Sequence, residues 1–207
     1  MNFDEKIRED RESLIADIVK LVSINSVEGT PKEGMPFGEG AAEALECFLS
    51  IAEEAGLHTE NFDNYAGHAE LGDGEETLGI LGHVDVVPCG EGWVCDPFTP
   101  QIIDGKLYGR GVLDNKGPML VCLHAVKILK EMGIPLRKKI RFIVGANEET
   151  DWKCMDYYFG VKKNYASGYL FYTGCGVSAE SCRKRCLSVS DCDRSAGKNR
   201  AFRWKCI

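Results

Sequence analysis

Residues 81–117 read LGHVDVVPCGEGWVCDPFTPQIIDGKLYGRGVLDNKG. An apolar run at residues 78–81 leads directly into His83-Val84-Asp85. Residues two apart in a strand project to the same face, so His83 and Asp85 would look into one space at the strand's end. A neutral imidazole binds a divalent metal through one ring nitrogen, and a nearby carboxylate can hold the other N–H and set the tautomer. The same pair also occurs as a plain hydrogen-bonded couple, so the metal reading depends on what else reaches the spot.

Working outward, GRGVLDNKG at residues 109–117 is too rich in glycine to be helical and carries Asp114 in a loop. Apolar positions from 118 to 132 predict an amphipathic helix ended by Gly133 and Pro135. Ile140, Phe142 and Val144 then alternate in a strand that runs into Gly145-Ala146-Asn147-Glu148-Glu149. Thr150 or Asp151 would cap a short helix through Tyr158. Upstream, Phe3, Ile7, Leu14, Ile15, Ile18, Val19 and Val22 recur at helical spacing. A loop follows over 23–40, a second helix over 41–55 stopped by Gly56, and strands near 58–62, 66–71 and 77–81, with Asp73-Gly74 as a tight turn. This order predicts an α/β fold built on a mixed, mainly parallel sheet. His83 and the Glu148-Glu149 pair both fall just beyond apolar strands, where open α/β sheets place ligand sites.

Composition separates the chain in two. Residues 1–159 carry 15 Lys and Arg against 29 Asp and Glu, whereas residues 160–207 carry 10 against 3. Five of the ten cysteines (Cys175, Cys182, Cys186, Cys192 and Cys206) crowd the second piece, with a boundary near Phe159. The overall charge of -7 argues against nonspecific nucleic-acid binding. No apolar run approaches the roughly 20 residues of a membrane span, and the charged N-terminus lacks a signal-peptide core, so a cytoplasmic protein is expected. The sequence is silent on oligomeric state.

Three elements thus converge: His83-x-Asp85, Asp114, and Glu148-Glu149. Zinc takes His and carboxylate ligands, and a pair of zinc ions needs a carboxylate between them, for which Asp114 is the best candidate. Adjacent glutamates at a strand end diverge, so one could bind metal while the other accepts a proton. The plainer alternative for that pair is a solvated turn before a helix, where acids suit the helix dipole. His124 reads as a packed histidine within an apolar helix. His68 could face substrate or simply the surface. Trp93 and Phe98 would pack their loop, and Arg110 would form an ion pair or hold a substrate carboxylate.

Together, LVSINSVEGTPKEGMPFGEG, DNYAGHAELGDGEETLGILGHVDVVPCGEGWVCDPFTPQIIDGKLYGRGVLDNKGP and IRFIVGANEETDWKCMDYYF resemble the co-catalytic zinc peptidases related to aminoacylases, carnosinases and bacterial glutamate carboxypeptidases. The bacterial Xaa-His dipeptidase branch is the most similar. The resemblance covers residues 1–159 and implies the N-terminal part of a three-layer catalytic domain holding Zn2+. It implies His83 as ligand to one zinc, Asp85 as the residue orienting it, Asp114 as the bridge, Glu148 as general base and Glu149 as ligand to the other zinc. The implied substrates are dipeptides or related N-acyl amino acids with a free carboxylate. Members of the family supply a further Asp and a distant His, which have no counterpart here, so an incomplete zinc site, a truncated product and no turnover are expected. A sheet lacking its later strands would also expose an apolar edge.

The tail over 160–207 departs from the family's pattern and is expected to be irregular. Codons for residues 165–179 (YASGYLFYTGCGVSA), read one nucleotide later, permit MPVGIFSTPDAEFPL, close to the family's segment with the missing Asp. A frameshift near Phe159-Gly160, natural or a sequencing error, is therefore expected. The rival reading is a non-enzymatic remnant, or a zinc-binding protein built on the tail cysteines, whose spacing contains no C-x-x-C pair.

Overall fold

The computed structural model describes residues 2–164, 168–173 and 186–188. Helix α1 (Phe3–Val22) starts at a capping box, in which the Asn2 side chain accepts from the Asp4 N–H and Glu5 reaches back to the Asn2 N–H. Helix α2 (Glu39–Glu54) follows the expected loop. Strands β1 (His58–Phe62), β2 (Ala66–Leu71) and β3 (Thr77–His83) come next, then the hairpin β4 (Gln101–Ile103) and β5 (Lys106–Tyr108). Helix α3 (Lys116–Glu131), strand β6 (Lys139–Gly145), a short α4 (Lys153–Met155) and a π-helical stretch (Asp156–Val161) lead to β7 (Gly168–Tyr172) and β8 (Cys186–Ser188).

The main sheet runs β1-β2-β6-β3-β7-β8. It is mixed: β6, β3 and β7 are parallel at its centre, with antiparallel pairs at both flanks. Helices cover both faces. Leu49 of α2 approaches Gly67, Phe48 meets Phe142, and Met119 of α3 sits over Gly82, all on one side. On the other, Cys154 and Met155 lie against Gly145, and Tyr158 against His68.

Several local expectations differ from the structure. Asp73-Gly74 is not a hairpin turn, because β6 lies between β2 and β3 and pairs with both. The hairpin that does form is β4–β5. Its central residues Asp104 and Gly105 both have positive φ, 50° and 74°, the backbone an Asp-Gly turn favours. The edge of β3 is not bare, since β7 pairs along it from Thr77↔Gly168 to Leu81↔Tyr172. The tail is therefore not irregular throughout. The short helix after Glu149 begins behind Trp152, which is left-handed (φ 60°), with no side-chain cap. Asp151 accepts a 3.3 Å bond from the Lys153 N–H and pairs with the Lys153 ammonium, and Thr150 does not cap. Among the tail cysteines, Cys186 opens β8, and Cys175, Cys182, Cys192 and Cys206 lie outside the described residues.

His124 is packed, as expected, with Nδ1 2.5 Å from Asp10 and Nε2 2.9 Å from Asp17. This ties α3 to α1. His68 is neither at the surface nor in the candidate site. It is buried, with Nδ1 2.9 Å from the Tyr158 hydroxyl and the Phe62 ring 5.0 Å away. Burial, reinforced by Arg141 and opposed by Glu70, pushes its pKa down to about 4. The unfolded chain takes up this proton near the ordinary value of 6.5, and the folded chain does not until about 4. Stability from a neutral His68 is thus fully present above that ordinary value and is lost as pH falls toward 4, by about 2–3 kcal/mol. Urea midpoints measured from pH 7.5 to 4.5 are expected to fall less steeply in His68→Gln than in the parent chain. Identical slopes would show that His68 is not the group responsible.

Candidate metal centre

His83 ends β3, where the strand carries it to the C-terminal edge of the parallel centre, and it is almost wholly buried. Its Nδ1 lies 3.0 Å from the Asp85 main-chain oxygen and 3.4 Å from Asp85 Oδ1. A proton held on Nδ1 by this pair leaves Nε2 to act as a ligand. Nε2 faces Asp114 Oδ1 at 3.2 Å and Glu148 Oε2 at 3.6 Å. Asp85 is buried too. Its Oδ2 accepts the Glu149 N–H at 2.9 Å, which joins the turn after β3 to the turn after β6.

Asp114 arrives on the glycine-rich loop. Gly117 is required there, because a Cβ at that position would lie 2.0 Å from the Val112 carbonyl oxygen. Lys116 holds the same loop from beneath. Its ammonium is fully buried and donates to the carbonyls of Leu21 and Ile24 at 3.1 and 2.7 Å, and burial pushes it down to about 7. Glu148 and Glu149 leave β6 in different directions. Glu148 Oε1 accepts from the Tyr172 hydroxyl at 2.5 Å, and Glu149 points a carboxylate oxygen toward His83 and Asp114. Ligand atoms of His83, Asp114 and Glu149 lie within 4.8 Å of one another.

The electrostatics of this cluster favour a cation. Burial alone would lower the His83 pKa. Hydrogen bonds to Asp114 and Asp85, with the charges of Asp85 and Glu148, outweigh it and raise the imidazole to about 10. The same bond to His83, against burial, holds Asp114 below the usual carboxylate range. Glu149 is pushed up by burial, with His83 opposing and the carboxylates of Glu148, Asp114 and Asp85 adding to the rise. The donor set, one imidazole and two carboxylates on separate loops, suits a divalent metal. Asp85 Oδ1 is buried and makes no hydrogen bond, lying 3.4 Å from His83 Nδ1. An open cleft of about 200 Å³ beside it is lined by Val27, Glu28, Asp85, Val86, Pro88 and Glu149.

The chain matches peptidase family M20/M25/M40 over residues 79–184. It belongs to that family. The Beta-Ala-Xaa dipeptidase of Lactobacillus delbrueckii subsp. lactis is 45% identical over 161 residues, 76% of this chain and 34% of that protein. Human carnosine dipeptidase 1 superposes with a TM-score of 0.72 at 24% identity, covering 82% of this chain and 40% of that one. An M20 family metallo-carboxypeptidase of Sulfolobus solfataricus superposes with a TM-score of 0.66 at 23% identity, covering 81% and 38%. These solved structures share the fold. The chain spans about a third of the length of the curated relatives it matches. The M20 assignment and the acidic His83 cluster agree in pointing to metal chemistry.

Other residues singled out in the sequence stand apart from the cluster. Trp93 Nε1 donates to the Cys89 carbonyl at 2.8 Å, and the Phe98 N–H donates to Asp96, so both stabilise their loop. Among the described residues Arg110 forms no ion pair. Its guanidinium donates to the carbonyls of Pro88 and Cys89 and lies 5.1 Å from the centre of the Trp93 ring. Tyr172 and Asn115 were not anticipated. Tyr172 lies beyond the compositional boundary, where no pattern pointed to it, and Asn115 carried only its adjacency to Asp114. No helix among the described residues is long and apolar enough to cross a membrane.

Proposed function

We propose that residues 1–159 are the N-terminal part of a zinc dipeptidase catalytic domain, and that the site serves hydrolysis of dipeptides with a free C-terminal carboxylate. The observation that carries this reading is the meeting of His83, Asp114 and Glu149 ligand atoms within 4.8 Å, with Glu148 alongside, its Oε2 3.6 Å from His83 Nε2. His83, Asp114 and Glu149 would hold zinc, with Asp114 placed to bridge to a second ion. Zinc, when bound, supplies Lewis acidity and lowers the pKa of water. Glu148 then accepts the proton of the attacking water as the new C–O bond forms. It returns that proton to the amine as the peptide C–N bond breaks. Asp85 keeps the Glu149 main chain and the His83 ring in register throughout.

Residues 160–207 are read as out-of-frame sequence, which nucleotide sequence through residue 159 and beyond would decide. A cytoplasmic setting fits Cys47, Cys89, Cys95 and Cys154, which form no disulfide among the described residues. The 207-residue chain is expected to bind zinc and to turn over no dipeptide alone, because the described residues offer one three-ligand group. The catalytic reading is tested in a chimaera in which the matching 161 residues of the Lactobacillus dipeptidase are replaced by those of this chain. Zinc-dependent hydrolysis of β-alanyl dipeptides is expected. A chimaera that folds and binds zinc but hydrolyses no dipeptide would overturn the proposal.

A further inference from the structure

Asn115 follows Asp114 at the entrance to α3 and is fully buried. Its side-chain oxygen accepts from the end of β3 and from the residue after β7: the His83 main-chain N–H at 3.4 Å and the Thr173 hydroxyl at 2.6 Å. Thr173 is itself anchored to β3, its N–H donating to the Leu81 carbonyl at 2.9 Å. The Thr173 hydroxyl also lies 3.1 Å from that carbonyl, but it has one proton, and the shorter contact is to Asn115. The junction exists because residue 82 is glycine. A Cβ there would stand 2.4 Å from Asn115 Oδ1, 2.3 Å from Met119 Sδ and 2.5 Å from Thr173 Oγ1.

The amide nitrogen of Asn115 is buried and makes no well-formed hydrogen bond, interacting only weakly with the neighbouring Asp114 carboxylate. A half-satisfied amide is a cost to the fold, so packing alone does not favour asparagine over an apolar side chain of similar size. Its oxygen does what an apolar group could not. It joins the main chain of His83 to the residue covalently next to Asp114, and thereby ties one candidate ligand to the other. It does so without adding another charge to a cluster that already contains Asp85, Asp114, Glu148 and Glu149.

We propose that Asn115 is a positioning residue that sets the separation of His83 Nε2 and Asp114 Oδ1 so that both meet one divalent cation. This rests on the metal-binding reading of the site. The test uses Co2+ as the probe on the full 207-residue chain, reading the visible absorption bands and the affinity by competition with a chelator. Far-UV circular dichroism and urea midpoints establish that each variant is folded. Asn115→Leu is expected to bind Co2+ at least about tenfold more weakly, in the range seen for partners behind metal ligands, and to shift the bands. Asn115→Asp keeps an oxygen that can accept both bonds, so its affinity should stay within about threefold. Thr173→Val removes one donor and should weaken binding by about threefold to tenfold, with a smaller spectral change.

Should Asn115→Leu fail to fold, Thr173→Val decides by itself, and parental affinity and bands in that variant would overturn the proposal. Folded Asn115→Leu with unchanged bands and affinity would do the same while leaving the metal site intact. A loss in Asn115→Asp as large as in Asn115→Leu would show that the acceptor oxygen is not what matters. Absence of Co2+ binding by the parent chain would remove the metal reading and this inference together.

Discussion

Glu148→Gln in the chimaera is expected to lower dipeptide hydrolysis by about 10²–10⁴-fold, the usual contribution of a positioned general base, while zinc affinity changes little. The amide keeps the size of the carboxylate. It cannot take a proton from water. Glu148 is also distinct from the ligand group formed by His83, Asp114 and Glu149, so the substitution should separate proton transfer from metal binding. Steady-state kinetics beside a zinc titration check both halves. Loss of zinc in proportion to lost activity would make Glu148 a ligand, and retained activity would remove it from the mechanism.

His83→Ala should act on the other half of the site. Removing one of the three candidate ligands is expected to cost about 3 kcal/mol or more, a roughly hundredfold or greater loss of zinc affinity. The effect should be larger than that of Asp114→Asn. His83 contacts Asp85, Asp114 and Glu148 together, at 3.4, 3.2 and 3.6 Å, and without it these carboxylates lose the imidazole they share. The metal-free variant should therefore also be less stable than the metal-free parent, most clearly at neutral pH, where the acids are ionised. Isothermal titration with zinc and urea melts in chelator measure the two effects. Zinc affinity unchanged in a folded His83→Ala protein would exclude His83 as a ligand.

Residues near in sequence announced much of this arrangement. The helical spacing from Phe3 to Val22 predicts α1, and the alternation of Ile140, Phe142 and Val144 predicts β6, because each pattern reports one element's own buried face. His83-x-Asp85 could be read as a pair because a strand sends alternate residues to one side. Asp104-Gly105 carries the same dipeptide signal as Asp73-Gly74, yet the hairpin forms at the former, so the dipeptide alone did not place the turn.

The sequence by itself determined the types and order of these elements and the three short segments that bear the candidate ligands. Tertiary structure alone decided that β6 lies between β2 and β3, that Tyr172 rests on Glu148, and that Asn115 joins His83 to the Asp114 loop. The reason is physical. Local periodicity encodes which face of an element is buried, whereas these contacts join residues 24 to 73 positions apart, from Tyr172 and Glu148 to the β2–β6 pair of Ala69 and Phe142. They are selected by register, by the space Gly82 leaves open, and by charges that only the folded chain brings together.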